Sequence, residues 1–151
     1  VLSITNVNGF KNCMCSEKKL AKALARMTYA FSNATCAKVN MITGEAYGSA
    51  YVFMNSKSIG ADLVYAWNDA KIGTMDSTMA AKIMYPDADA AEIKEKASEY
   101  EKLQSSATSA AARGYVDRII EPADSRKYLV AAFEMLYTKY VGEPEKKHGT
   151  K

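Results

Sequence analysis

The sequence predicts an α/β fold of stacked strand–turn–helix units. Three observations predict it. Short β-rich runs ("VLSITNV", "AKVNMITG", "DLVYAW") alternate with stretches of helical periodicity. Glycines sit where strands hand over to helices, as at Gly9, Gly44 and Gly48. The chain has 151 residues, 48% hydrophobic and 25% charged, which suits one domain with its own core.

"VLSITNV" reads as a buried strand that ends at the turn pair Asn8-Gly9. Ser16 is placed to cap a helix over 17–33. The apolar set of that helix is Leu20, Ala23, Leu24, Met27 and Phe31; Lys18, Lys19, Lys22 and Arg26 read as a solvated face more than a phosphate site. A second strand runs to Gly44, and "AYGSA" turns the chain into a helix over about 49–60. "DLVYAW" and "AKIGTM" are two short strands. Asp76 or Ser77 caps the helix "TMAAKIMY", which Pro86 ends. A polar amphipathic helix over 88–104 and a short Ala-rich helix stopped by Gly114 follow. "YVDRIIEP" is a strand or extended link, and a last long helix spans 124–141. The tail "GEPEKKHGTK" is expected to be disordered or docked on a partner.

Net charge is +3, too small and too scattered to imply a nucleic-acid partner. No apolar run spans a bilayer and no secretory signal opens the chain, so direct membrane insertion is not expected. Cys13, Cys15 and Cys36 form no disulfide framework, which fits a reducing cytoplasm. The spacing of Cys13 and Cys15 does not match zinc ligands, so no metal is expected. Because Val1 already reads as strand, the chain is expected to be a piece of something longer, or a trimmed product.

Residues 45–67, "EAYGSAYVFMNSKSIGADLVYAW", hold no histidine and no cysteine. At residues 48–50 three small side chains leave the first-turn amides of a helix uncovered, where a developing oxyanion could sit. A tight helix entrance that only packs well would look the same.

Several strings together resemble the carboxyltransferase subunit of biotin-dependent acyl-CoA carboxylases and decarboxylases. They are Ala46 to Tyr51, Met54 to Lys57, Gly60 with Asp62, Tyr65 to Trp67, and "AAARGYVDRIIEPADSRKYLVAAFEML". The order of these motifs and their spread over nearly all of residues 1–151 are similar to the C-terminal half of such a subunit. The resemblance implies a crotonase-like fold. It also implies transfer of a carboxyl group between carboxybiotin, borne on a carrier protein, and the α-carbon of a short-chain acyl-CoA. In this family backbone amides hold the oxyanions and the biotin ureido nitrogen takes the α-proton, so no side-chain base is required; the one histidine, His148, lies in the tail. Carried onto this chain, the amide pair is that of Ser49 and Ala50. Gly48 and Tyr51, with Gly9 and Phe10 of the preceding loop, fall on the biotin side, and Val52 falls in the acyl pocket. The implied partners are acyl-CoA, the N-terminal half of the same subunit type, a biotin carboxyl carrier protein and further copies in a homo-oligomer.

Three departures matter. Ser49 stands where the family often has glycine, which is harmless only if its φ is negative. Asn8-Gly9-Phe10 replaces a Pro-Gly-Phe loop, and Met75-Asp76 replaces Met-Gly. Two other classes stay open: a crotonase-type enoyl-CoA hydratase or isomerase, and a non-catalytic assembly subunit.

Overall fold

The computed structural model describes residues 1–142; the expectations for the tail and His148 lie outside them. Among the described residues five strands occur: β1 (Leu2–Val7), β2 (Val39–Tyr47), β3 (Leu63–Trp67), β4 (Lys71–Gly73) and β5 (Arg118–Ile120). Every pairing between these strands is parallel, in the order β1-β2-β3-β5 with β4 also on β2, and one isolated antiparallel bridge joins Lys71 to Ser106. Parallel neighbours require crossovers. Helices α1 (Met14–Asn33), α2 (Gly48–Phe53), α3 (Ser77–Met84), α4 (Ala90–Tyr100), α5 (Ala107–Ala112) and α6 (Ser125–Met135) lie between and after the strands.

The two faces of the sheet follow the period of two in its strands. Val39 and Met41 of β2, with Tyr65 of β3, pack against Ala132 of α6. Ile42 and Ala46 of β2, with Val64 and Ala66 of β3, pack against Tyr51 of α2 and Ala110 of α5. Between these halves β2 changes neighbour. Val39 to Ile42 pair with β3, whereas Glu45 to Tyr47 pair with β4. Gly44 sits at the change; a Cβ there would stand 2.8 Å from the Asn6 side chain, whose Oδ1 accepts the Glu45 amide at 3.0 Å.

Several boundaries differ from expectation, each for a local reason. α1 starts two residues before Ser16, with Cys13 in the extended N-cap position; Ser16 lies inside the helix, 3.2 Å from the Cys13 thiol. α2 does not continue to residue 60. Asn55 adopts φ +57°, a left-handed conformation that asparagine tolerates better than most residues. Its side-chain amide donates to the Val39 carbonyl at 3.3 Å, and a 3-10 turn, Lys57–Ile59, follows, closed by Gly60 at φ +94°. The helix expected over 88–104 becomes α4 plus a π-helical turn, Glu101–Ser105. α6 stops at Met135. Asp76 caps α3 as expected, accepting the amides of Thr78 and Met79.

Candidate functional site

β2 ends at Tyr47 and α2 begins at the next residue, with no side chain capping it. Gly48 takes φ +59°, and a Cβ there would lie 3.0 Å from the Thr74 carbonyl oxygen. The cause is the β2–β4 pairing, which sets Tyr47 opposite Gly73 and so brings the end of β4 against the helix entrance. The first amides of a helix have no partner within it. No acceptor elsewhere in the described residues bonds the Ser49 or Ala50 amide. Asn55 is the only described non-glycine residue with positive φ, so Ser49 carries no backbone strain and the Gly-to-Ser departure leaves the turn intact.

This entrance forms one wall of a cleft of about 480 Å³. Gly48, Ser49, Tyr51 and Val52 supply that wall, and Ile72, Gly73 and Thr74 adjoin it. The far side comes from later segments: Tyr100, Gln104, Arg113 and Tyr115. Ser49 also lines a second groove, with Phe10 and the start of α1. Ala50 is buried under the entrance at 3% exposure, and Gly9 lines neither hollow. The structure thus gathers four of the other six sequence-derived residues, Phe10, Gly48, Tyr51 and Val52, around Ser49, with Ala50 buried beside them.

Two buried tyrosines flank the helix entrance, Tyr51 in the cleft wall and Tyr47 at the N-cap of α2. Tyr51 is 7% exposed and its hydroxyl has no partner among the described residues; burial, reinforced by Tyr115, pushes its pKa up to about 12. Burial and then the charges of Asp76, Glu45 and Glu101 push Tyr47, whose hydroxyl is likewise unpartnered, to about 12. Both stay protonated at neutral pH and are donors, not bases.

The charged motif residues are engaged elsewhere. Lys57 donates to both carboxylate oxygens of Asp117, at 2.8 and 2.7 Å, and to the Asp62 carbonyl. Asp62 accepts the Lys38 amide at 2.7 Å and the Lys139 ammonium at 2.9 Å. Burial opposes the charge on Asp62, but the Lys139 and Lys38 interactions outweigh it and hold the carboxyl below its ordinary value. The Trp67 indole N–H donates to Ser125. The three cysteines are free thiols, and no cluster of ligating side chains among the described residues could hold a metal.

Sequence reasoning missed Gln104, Tyr100, Arg113 and Tyr115 as cleft residues. The last two stand in "AAARGYVDRII", whose helix stop and family resemblance say nothing of what its side chains reach.

A family model described as carboxyl transferase domain matches residues 1–150. The methylmalonyl-CoA decarboxylase subunit alpha of Propionigenium modestum is 43% identical over 99% of this chain and 30% of its own length. The propionyl-CoA carboxylase carboxyltransferase subunit of Haloferax mediterranei is 39% identical over 99% of this chain and 30% of its own. A solved transcarboxylase 12S, described as a hexamer with methylmalonyl-coenzyme A and methylmalonic acid bound, superposes with a TM-score of 0.91 at 38% identity, covering 98% of this chain and 29% of that one. The parallel sheet with its crossing helices is a crotonase-like fold. The chain spans less than a third of the length of these relatives.

Proposed function

The chain belongs to the carboxyl transferase domain family, and from that premise we propose that it is the C-terminal, biotin-side half of an acyl-CoA carboxyltransferase subunit. The reaction moves a carboxyl group between biotin and a short acyl-CoA of the propionyl or methylmalonyl type. One observation carries the reading: α2 starts on a cleft wall with its first amides bare, beside a glycine that no side chain could replace without meeting Thr74. A buried tyrosine hydroxyl in the same wall, with no partner among the described residues, supports it, because such a donor calls for a water or a ligand in the cleft. These residues fit a small ureido ring.

Biotin, when bound, supplies the ureido group that carries the carboxyl and accepts the α-proton. This chain's residues hold and orient. The amides of Ser49 and Ala50 donate to the oxyanion that develops. Gly48 turns the backbone so that both can face one point. Val52 offers an apolar wall to a short acyl group, and Phe10 flanks the same entrance from the groove beyond Ser49. No side-chain base enters the scheme, in keeping with an entrance wall whose one ionisable member, Tyr51, is held protonated.

Catalysis needs the N-terminal half of a second subunit, a biotin carboxyl carrier protein and a homo-oligomer, in the cytoplasm. What supports assembly is exposed apolar surface. α1 buries none of its 20 residues. Met79 and Ile83 of α3 and Val130 and Met135 of α6 are exposed, and an open apolar hollow of about 630 Å³ lies on α6.

The test is free-biotin-dependent decarboxylation of a malonyl-type CoA by the complete subunit. Ala50→Pro removes one donor and should cost about a hundredfold or more in rate, roughly 3 kcal/mol. Ser49→Ala keeps its amide and should cost far less. Equal damage from both would make the serine hydroxyl a working group and end the backbone mechanism. Hydration of crotonyl-CoA without biotin-dependent turnover would replace the reaction class.

A further inference from the structure

The cleft carries one formal charge. Among its described lining residues only Arg113 is a cation, and none is an acid. Its guanidinium, exposed at the mouth, donates to the Gln104 side chain. No carboxylate among the described residues pairs with it. The acids of the neighbouring segments are engaged: Glu101 pairs with Lys71 at 3.1 Å and accepts Ser77, and Asp117 is held by Lys57. An arginine presents five donors in a rigid fork suited to carboxylates. Using one of them on Gln104 leaves the others available. Gln104 itself sits on the π-helical turn that ends α4, a rare backbone form that tends to occur at functional sites. The same cleft is lined by the first turn of α2, by Tyr51, whose hydroxyl has no partner among the described residues, and by the apolar side chains of Val52 and Ile72. Positive potential beside an apolar wall is complementary to a small organic anion.

We propose that Arg113, steadied by Gln104, is the positioning residue for the carboxylate that is transferred in this cleft. The inference rests on the carboxyltransferase reading, to which it adds the counter-ion. Arg113 takes no proton and forms no bond. It holds the carboxylate at the mouth while the α2 amides meet the oxyanion.

The complete subunit is titrated calorimetrically with methylmalonate and with its neutral diamide. Arg113→Gln should weaken methylmalonate roughly tenfold or more, the worth of a charge-assisted pair, and leave the diamide unchanged. Arg113→Lys should retain most of the affinity, and Gln104→Ala should fall between. Equal weakening of both ligands would make Arg113 a mere wall of the cleft and overturn the proposal. Undiminished methylmalonate binding in Arg113→Gln, or none by the unsubstituted subunit, would overturn it too. Kinetics identify which molecule bears the anion. A raised KM for free biotin in Arg113→Gln places it on the biotin side, and a raised KM for the acyl-CoA places it on the acyl side. A subunit that binds methylmalonate through Arg113 but never turns over with biotin would refute the carboxyltransferase reading and not this one.

Discussion

Two regions of one stretch, residues 46–67, have opposite chemistry. The entrance of α2 is built of Gly48, Ser49 and Ala50, whose side chains offer almost nothing, and it forms the cleft wall. Fewer than twenty residues later come Lys57, Asp62 and Trp67, which look like working groups. Each is spent on holding β3 against the segments around β5 and α6. The polar motif residues are scaffold, and the inert ones frame the site. A reaction carried by backbone donors needs rigid placement more than reactive side chains.

That contrast can be broken from either side. The largest effect should come from the scaffold. Asp62→Ala leaves Lys139 and the Lys38 amide without their carboxylate in a pair only 19% and 16% exposed. Denaturant unfolding should show a loss of about 3 kcal/mol at pH 7, with binding in the cleft unchanged in the folded fraction. Because Asp62's folded pKa is depressed, its contribution is present above the unfolded value and lost as pH falls through the folded one. The gap between the parent and Asp62→Ala should therefore close below about pH 4. A constant gap would mean that packing, not charge, holds the region.

Gly48→Ala should cost about 1–2 kcal/mol for an L-residue in the left-handed region. It should also lower transfer roughly tenfold more than that loss explains, because the donors move. Stability loss without that kinetic excess would make Gly48 as structural as Asp62. The smallest effect belongs to Tyr51→Phe. Removing a buried hydroxyl that has no partner should change stability by less than about 0.5 kcal/mol, or raise it slightly. Clear destabilisation would show that the hydroxyl is already satisfied in the folded chain.

Much of the fold was legible because its signals are local. The strand run "DLVYAW", the Asp76 cap and the Gly114 stop each depend on a few neighbouring residues. "VLSITNV" is a strand too, but not the buried one expected: it is the edge of the sheet and leaves Leu2 and Ile4 exposed. The end of α2 was not legible, since nothing near Asn55 announces a left-handed residue whose side-chain amide bonds a strand carbonyl sixteen positions back. Nor was the π-turn after α4, where Ser105 is buried against Gly73. The site was half legible. The helix entrance stands in one contiguous motif, but Gln104, Arg113 and Tyr115 reach the cleft only through the packing of the π-turn and α5 on β4. Sequence spacing does not encode that juxtaposition.

The exclusively parallel sheet has a consequence for how the chain acquires its structure. β1 pairs with β2 only after the whole of α1 has been made, and β3 waits for β5 through three helices. Such separations give a high contact order and slow closure. While β3 waits, its outer edge is an unpaired template. The chain should therefore fold on the slow side for its size and be most prone to aggregate before residue 120 is in place.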